Sequence, residues 1–283
     1  MSKPKPQYLV STDSIGFLGK PKQFVKLWKE YFEKKTLDGV EIIAFKPLSR
    51  LSKLVSTLEK NNIPVLSFHG KTGGESILDL FSTIIMTLVN FHIFNAEVLL
   101  KNFPGIEFLS HAPYFEKKSV ERIIIKNNPK RIWIENHLSG KQGVEDAIKQ
   151  INIYRKNRTN ANGMLDIYHY IVHSVKTLQK NWTTLVEELK SYIVLKDKNG
   201  KQFFQGIHFP IGSRLGDSLP IDSMSDQMLE LFAQKIIPHI ERVVFENQQK
   251  NLGLFFSTDK MLEKQKERNK RIIERLKKTG VII

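Results

Sequence analysis

Short apolar runs recur along the chain at about 8–13, 40–45, 64–69, 106–111, 131–135, 163–167, 204–209 and 242–247, each with the length and branched or aromatic content of a buried strand. Between them, apolar residues fall at three- and four-residue intervals. That spacing predicts amphipathic helices near 21–35, 49–61, 77–101, 116–127, 143–157, 173–192, 225–238 and 259–278. Strands that are apolar throughout are covered on both faces, as in a parallel sheet wrapped by helices. Eight such alternations predict closure into a (β/α)8 TIM barrel, an α/β fold, rather than an open sheet.

No internal repeat and no Pro/Gly-rich linker divides the chain, so residues 1–283 read as a single barrel domain. The Lys198-Asn-Gly-Lys201 segment reads as a tight turn entering a strand. The apolar run 77–100 is interrupted by Asp79, Asn90, His92, Asn95 and Glu97, which favours a buried barrel helix over a membrane span. Met1-Ser-Lys-Pro-Lys-Pro-Gln7 has no apolar stretch after its charges and does not read as a secretory signal, so a cytoplasmic location is expected. With no cysteine there is no thiolate ligand, and any metal must be held by His, Asp and Glu. A net charge of +15 is compatible with a polyanionic partner, although a Lys-, Asn- and Ile-rich composition also produces it.

Polar residues at the downstream ends of the apolar runs change this picture from fold to chemistry. Arg131-Ile-Trp-Ile-Glu135, Gly163-Met-Leu-Asp166, Phe203-Phe-Gln-Gly-Ile-His208 and Arg242-Val-Val-Phe-Glu246 each end on a carboxylate or imidazole where a buried strand surfaces. In a TIM barrel that is the face that carries catalysis. His69 ends Pro64-Val-Leu-Ser-Phe-His69, and His111 ends Ile106-Glu-Phe-Leu-Ser-His111. A histidine on an apolar run is commonly a satisfied core residue, but both stand at the same strand depth as the carboxylates. His92 and His239 read as structural. Asp166-Ile-Tyr-His169 places another imidazole one turn beyond its carboxylate. Carboxylates with imidazoles suit Zn²⁺, Mn²⁺, Mg²⁺ or Co²⁺, and the bland alternative is an ion-pair network in the barrel mouth.

The order Glu135, Asp166-Ile-Tyr-His169, His208 and Glu246 resembles the xylose isomerase-like superfamily over nearly the whole chain. Within it, Glu135-Asn-His-Leu-Ser-Gly-Lys-Gln-Gly143 and the Asp-x-x-His element are similar to the endonuclease IV branch. The resemblance implies one ion on Glu135, Asp166, His208 and Glu246. It implies a second on His69, His111 and a shared Glu135, with His169 facing a third ion or the substrate. Zn²⁺ would be the metal, and DNA with abasic or other damaged sites the substrate. The chain departs from that branch after His208, where Gly212-Ser-Arg-Leu-Gly-Asp-Ser-Leu-Pro220 lacks the Asp-Arg-His element of a third metal site and offers only Asp217.

The same segment favours a rival. Ketose epimerases of the superfamily hold substrate with an Arg six residues after the metal-binding His, and Arg214 stands six after His208. In that reading Glu135 and Glu246 transfer a proton next to a carbonyl on Mn²⁺, Co²⁺ or Mg²⁺, and a free or phosphorylated sugar is the substrate. The loops Phe45-Lys-Pro47 and His69-Gly-Lys71-Thr-Gly-Gly74 could bind phosphate or hydroxyls in either case, with Lys71 as the cation. The expected function is an endonuclease IV-like phosphodiesterase in which Glu135, Glu246 and His169 do the chemistry; the alternatives are a sugar isomerase or epimerase, and a barrel without turnover. The carboxyl-terminal run 259–278 reads as the last barrel helix, with Met261, Leu262, Ile272, Ile273 and Leu276 inward, rather than as a nucleic-acid contact.

Overall fold

The computed structural model describes residues 5–12, 20–44, 48–70, 96–137, 140–167, 170, 182–211, 224–246 and 259–283. Eight parallel strands close a barrel in sequence order: β1 (Gln7–Ser11), β2 (Gly39–Ile43), β3 (Val65–Gly70), β4 (Glu107–His111), β5 (Ile132–Glu135), β6 (Ala161–Asp166), β7 (Phe204–Pro210) and β8 (Arg242–Glu246). Closure is made by β1 against β8, with Gln7 opposite Arg242 and Val10 opposite Phe245. The fold is the (β/α)8 TIM barrel, with helices between the strands.

Side chains alternate across each strand, so positions i, i+2 and i+4 share a face. Along β4 the inward series is Glu107, Leu109, His111; along β8 it is Arg242, Val244, Glu246. The middle members pack with Leu9, Trp133 and Met164 into an apolar plug inside the barrel, separate from the larger core under the helices. The outward residues between them, Phe108, Val243 and Phe245, belong to that outer core. One strand thus supplies a polar floor, an apolar centre and a polar rim. On the floor, Glu107 Oε2 accepts from Arg242 Nη1 at 2.6 Å and Trp133 Nε1 at 2.7 Å, while the Arg242 guanidinium lies over the Trp133 ring.

The described helices are Pro21–Glu33, Leu48–Glu59, Ala96–Asn102, Ala112–Phe115, Lys118–Asn127, Lys141–Lys156, Trp182–Ile193, Asp226–Lys235 and Asp259–Lys278. The helix expected over 116–127 is found as Lys118–Asn127, and a short additional helix, Ala112–Phe115, precedes it directly after β4 with Pro113 in its first turn. Two other expected helices are described only in part, as 96–102 and 182–193. In the last helix Leu262, Ile272, Ile273 and Leu276 are buried as expected. Its Arg275 Nε donates to Asp226 Oδ1 at 2.7 Å, tying it to the helix before. The 198–201 turn carries Gly200 at φ +78°, and Asp197 Oδ1 accepts from the Asn199 and Lys201 amides. Among the described residues no helix is long and apolar enough to cross a membrane.

Candidate metal centre

The strand-end residues singled out in the sequence converge at one mouth of the barrel. His69 on β3, His111 on β4, Glu135 on β5, Asp166 on β6, His208 on β7 and Glu246 on β8 take consecutive places around the rim. Strand register sets His111 opposite Glu135 and Asp166 opposite His208, while His69, Glu135 and His208 face Leu109, Met164 and Val244, two residues before the next rim residue, which is the stagger of the closed barrel. Glu135 and His208 are almost fully buried, and His69 and His111 are only slightly exposed.

Two groups of donors meet at Glu135. Its Oε2 stands 3.0 Å from His69 Nε2 and 3.6 Å from His111 Nε2. Its Oε1 stands 3.1 Å from His208 Nδ1, which also lies 3.4 Å from Glu246 Oε1 and 4.0 Å from Asp166 Oδ2. Ligands held about 2.0–2.2 Å from one zinc ion at tetrahedral angles stand about 3.4 Å apart, so both groups have the spacing of a coordination shell. The ligand atoms of His69, His111 and Glu135 all lie within 4.8 Å of one another, as do those of Glu135, Asp166 and His208. The donor set is oxygen and imidazole nitrogen, which suits Zn²⁺, Mn²⁺, Co²⁺ or Mg²⁺ without selecting among them.

Glu41 was not anticipated from the sequence. It lies within β2, fully buried, and pairs in register with Ser67, one inward layer below His69. Ser67 Oγ donates to its Oε2 at 3.0 Å, while its Oε1 stands 3.4 Å from His69 Nδ1 and 3.1 Å from His208 Nε2. The available signal was the charge itself, a lone glutamate inside Gly39-Val-Glu-Ile-Ile43, because a buried carboxylate on an interior strand requires a partner. Asn136 is a second such residue. Its side chain donates to the Asp166 carbonyl at 3.1 Å and accepts from the Asp166 amide at 2.7 Å, clamping the end of β6 to β5. His137 stands edge-on to His111, with ring centroids 5.1 Å apart.

The electrostatics are those of a negative pocket filled with imidazoles. Burial alone would lower the His69 pKa, but the Glu135 and Glu41 carboxylates outweigh it and raise it to about 10. His208 is likewise buried, yet Glu135, Glu246 and Glu41 push it well above the ordinary histidine value. Burial works to raise Glu135 and Glu41, and the facing histidines hold both well below the usual carboxylate range. Close contact has not brought alignment: Glu41 Oε1, both His69 ring nitrogens and His208 Nε2 are buried without a hydrogen bond of good geometry. Buried polar atoms left this way point to a missing partner, and a cation among them fits.

His169, Lys71, Arg214, Asp217 and His92, with the loops 45–47 and 71–74, lie outside the described residues. The described part of the mouth therefore contains the proposed ligands and not the proposed substrate contacts.

No protein-family model matches the chain, and no curated protein matches it. Among solved structures, a xylose isomerase domain-containing protein from Salmonella typhimurium aligns over 98% of this chain and 99% of its own, with a TM-score of 0.50 and 11% identity. D-allulose 3-epimerase from Methylomonas sp. aligns over 96% and 99%, with a TM-score of 0.47 and 12% identity. The 3-keto-D-glucoside 4-epimerase from E. coli aligns over 95% and 99%, with a TM-score of 0.46 and 11% identity. At these identities the likeness is one of fold, and the endonuclease IV branch rests on the sequence motifs alone. The chain shares its barrel fold with the xylose isomerase domain-containing protein.

Proposed function

We propose that the chain is a divalent-metal-dependent isomerase or epimerase of a free or phosphorylated sugar. The observation that carries this reading is the approach of Glu135 and Glu246 to the same His208 nitrogen, at 3.1 and 3.4 Å, with Asp166 beside them. An ion held by these four would polarise a substrate carbonyl and stabilise negative charge on its oxygen. The glutamates themselves would remove and return the proton at the adjacent carbon, as positioned general base and acid. Arg214, His169 and Lys71 are the proposed substrate contacts. The fold likeness to a xylose isomerase domain-containing protein agrees at the level of analogy.

This reverses the preference drawn from the motifs. The segment after His208 lacks the Asp-Arg-His element, and the endonuclease IV branch has no support here beyond the motifs. A second reading, an endonuclease IV-like phosphodiesterase acting on damaged DNA, is favoured by one observation. His69 and His111 both turn Nε2 toward Glu135 Oε2, which makes room for a second ion beside the first, and paired ions serve phosphodiester hydrolysis.

The test is solvent exchange. Protein loaded with Mn²⁺, Co²⁺ or Mg²⁺ should incorporate deuterium from D₂O into the carbon next to the carbonyl of a ketose or ketose phosphate. Arg214→Ala should depress that exchange while leaving metal bound. Metal-loaded protein that leaves such sugars unexchanged but nicks duplex DNA at an abasic site, with binding that weakens steeply with salt, would install the second reading.

A further inference from the structure

We propose that Glu41 is a positioning residue whose single inward oxygen orients two histidines for opposite duties, His69 toward one ion pocket and His208 toward the other. Glu41 Oε1 meets His69 through Nδ1 at 3.4 Å and His208 through Nε2 at 3.1 Å. The remaining nitrogens are then different ones. His69 presents Nε2 to Glu135 Oε2 and His111, and His208 presents Nδ1 to Glu135 Oε1, Glu246 and Asp166. A neutral imidazole that gives one nitrogen to a metal carries its proton on the other, and a carboxylate accepting that proton sets the tautomer, the ring angle and the basicity of the ligand. Here one carboxylate oxygen stands within reach of both rings, in contact but not yet aligned for hydrogen bonds, and on this proposal ion binding through the other nitrogens brings both N–H groups into line with it.

Glu41 is itself held. Its other oxygen accepts from Ser67 Oγ at 3.0 Å, and it is fully buried below the rim, so the carboxylate has no route to solvent. The inference rests on the metal reading of the site and is indifferent to whether the substrate is a sugar or DNA. It also stands against a rival role for the same residue, because Glu41, His69, His208 and Glu246 form a group close enough to hold an ion among themselves. Were Glu41 a ligand there, His69 would bind through Nδ1 and His208 through Nε2, the reverse of the assignment above.

Histidine tautomers decide the matter in the wild-type protein loaded with Zn²⁺, a diamagnetic probe. Long-range ¹H–¹⁵N NMR of the imidazoles should show His69 protonated at Nδ1 and His208 protonated at Nε2, two opposite tautomers in one centre. The reversed pair would show that Glu41 is a ligand and overturn the proposal, as would one tautomer shared by both rings. Glu41→Gln should weaken Zn²⁺ at both pockets by about 10–100-fold, the usual cost of losing an outer-sphere partner, as read by competition with a chelator. Glu246→Gln, which alters a donor beside His208 Nδ1, should weaken chiefly that pocket. Wild-type protein that binds Zn²⁺ while Glu41→Gln binds it equally well sinks the positioning role alone; wild-type protein that takes up no divalent ion sinks the metal reading and this inference with it.

Discussion

Glu135 and His208 are 73 residues apart in the chain, yet Glu135 Oε1 lies 3.1 Å from His208 Nδ1, and the other Glu135 oxygen faces His69. One glutamate therefore joins the two donor groups. Its loss should empty both pockets, whereas loss of a residue belonging to one group should spare the other. We expect Glu135→Ala to reduce bound Zn²⁺ to background and Asp166→Asn to leave the His69 and His111 share in place. Elemental analysis of matched, folded samples checks this; equal metal retention in the two variants would remove the bridging role.

Replacing His69 and His111 together with Ala should halve the metal stoichiometry of the wild-type protein if the second pocket is occupied, with the barrel still folded. If the two rings serve only packing, the same variant should lose thermal stability and keep its stoichiometry. Melting and metal content measured on one sample separate these outcomes.

Protonation gives the metal-free protein a characteristic pH dependence. His69 is raised in the folded state to about 10 from an ordinary value of 6.5, so its stabilising contribution is complete below about 6.5 and disappears as pH climbs toward 10. His208 acts in the same sense. Glu135 and Glu41 are depressed, so their contributions are present above the ordinary carboxylate value and disappear as pH falls below it. Denaturant unfolding of metal-free protein should show lower stability at pH 9 than at pH 6, and lower stability at pH 3 than at pH 6. Zn²⁺ must displace the His69 and His208 protons, so calorimetry near pH 7.5 in buffers of different ionisation enthalpy should detect proton release. Binding that is independent of the buffer would contradict the assigned protonation.

At the opposite end of the barrel, Glu107 accepts from both Arg242 and Trp133, and Arg242 is almost wholly buried. Glu107→Ala leaves a buried guanidinium without its carboxylate, and breaking such a pair costs about 3–5 kcal/mol. Equilibrium unfolding should register that loss while Zn²⁺ affinity stays unchanged. A comparable loss of metal would mean that floor and rim are coupled through the apolar plug.

The glycines of β6 and β7 yield a ranking. A Cβ at Gly163 would lie 2.4 Å from the Phe204 ring, a rigid neighbour, whereas one at Gly206 would meet the flexible Met164 Sδ at 2.7 Å. Overpacking of this sort costs about 1–3 kcal/mol, and Gly163→Ala should be the more destabilising of the two. The reverse order in thermal melts would show that β7 cannot shift to relieve the contact at Met164.

Local pattern was enough for the strands and helices because hydrophobic periodicity is written into neighbouring residues. The described strands fall within two residues of their expected bounds, as with 242–247 against Arg242–Glu246. The four-residue helix Ala112–Phe115 was not legible because it is too short to show an apolar period, although Pro113 stands in its first turn. The rim residues were legible for a related reason. A polar side chain at the end of an apolar run has few explanations, and six of them at the ends of six such runs have fewer still.

By itself, then, the amino-acid order determined eight buried strands, the helices between them and a set of carboxylates and imidazoles at the strand ends. It did not determine which of those groups face each other, nor that Glu41 belongs with them. Glu41 is inside a strand, not at its end, and it reaches the centre only because register sets it beside Ser67, one layer under His69, while closure of the barrel brings β7 within reach across the interior. Strand stagger and closure depend on pairing between segments far apart in the chain. A charge within an apolar run shows that a partner must exist, and the tertiary structure alone decides which one it meets.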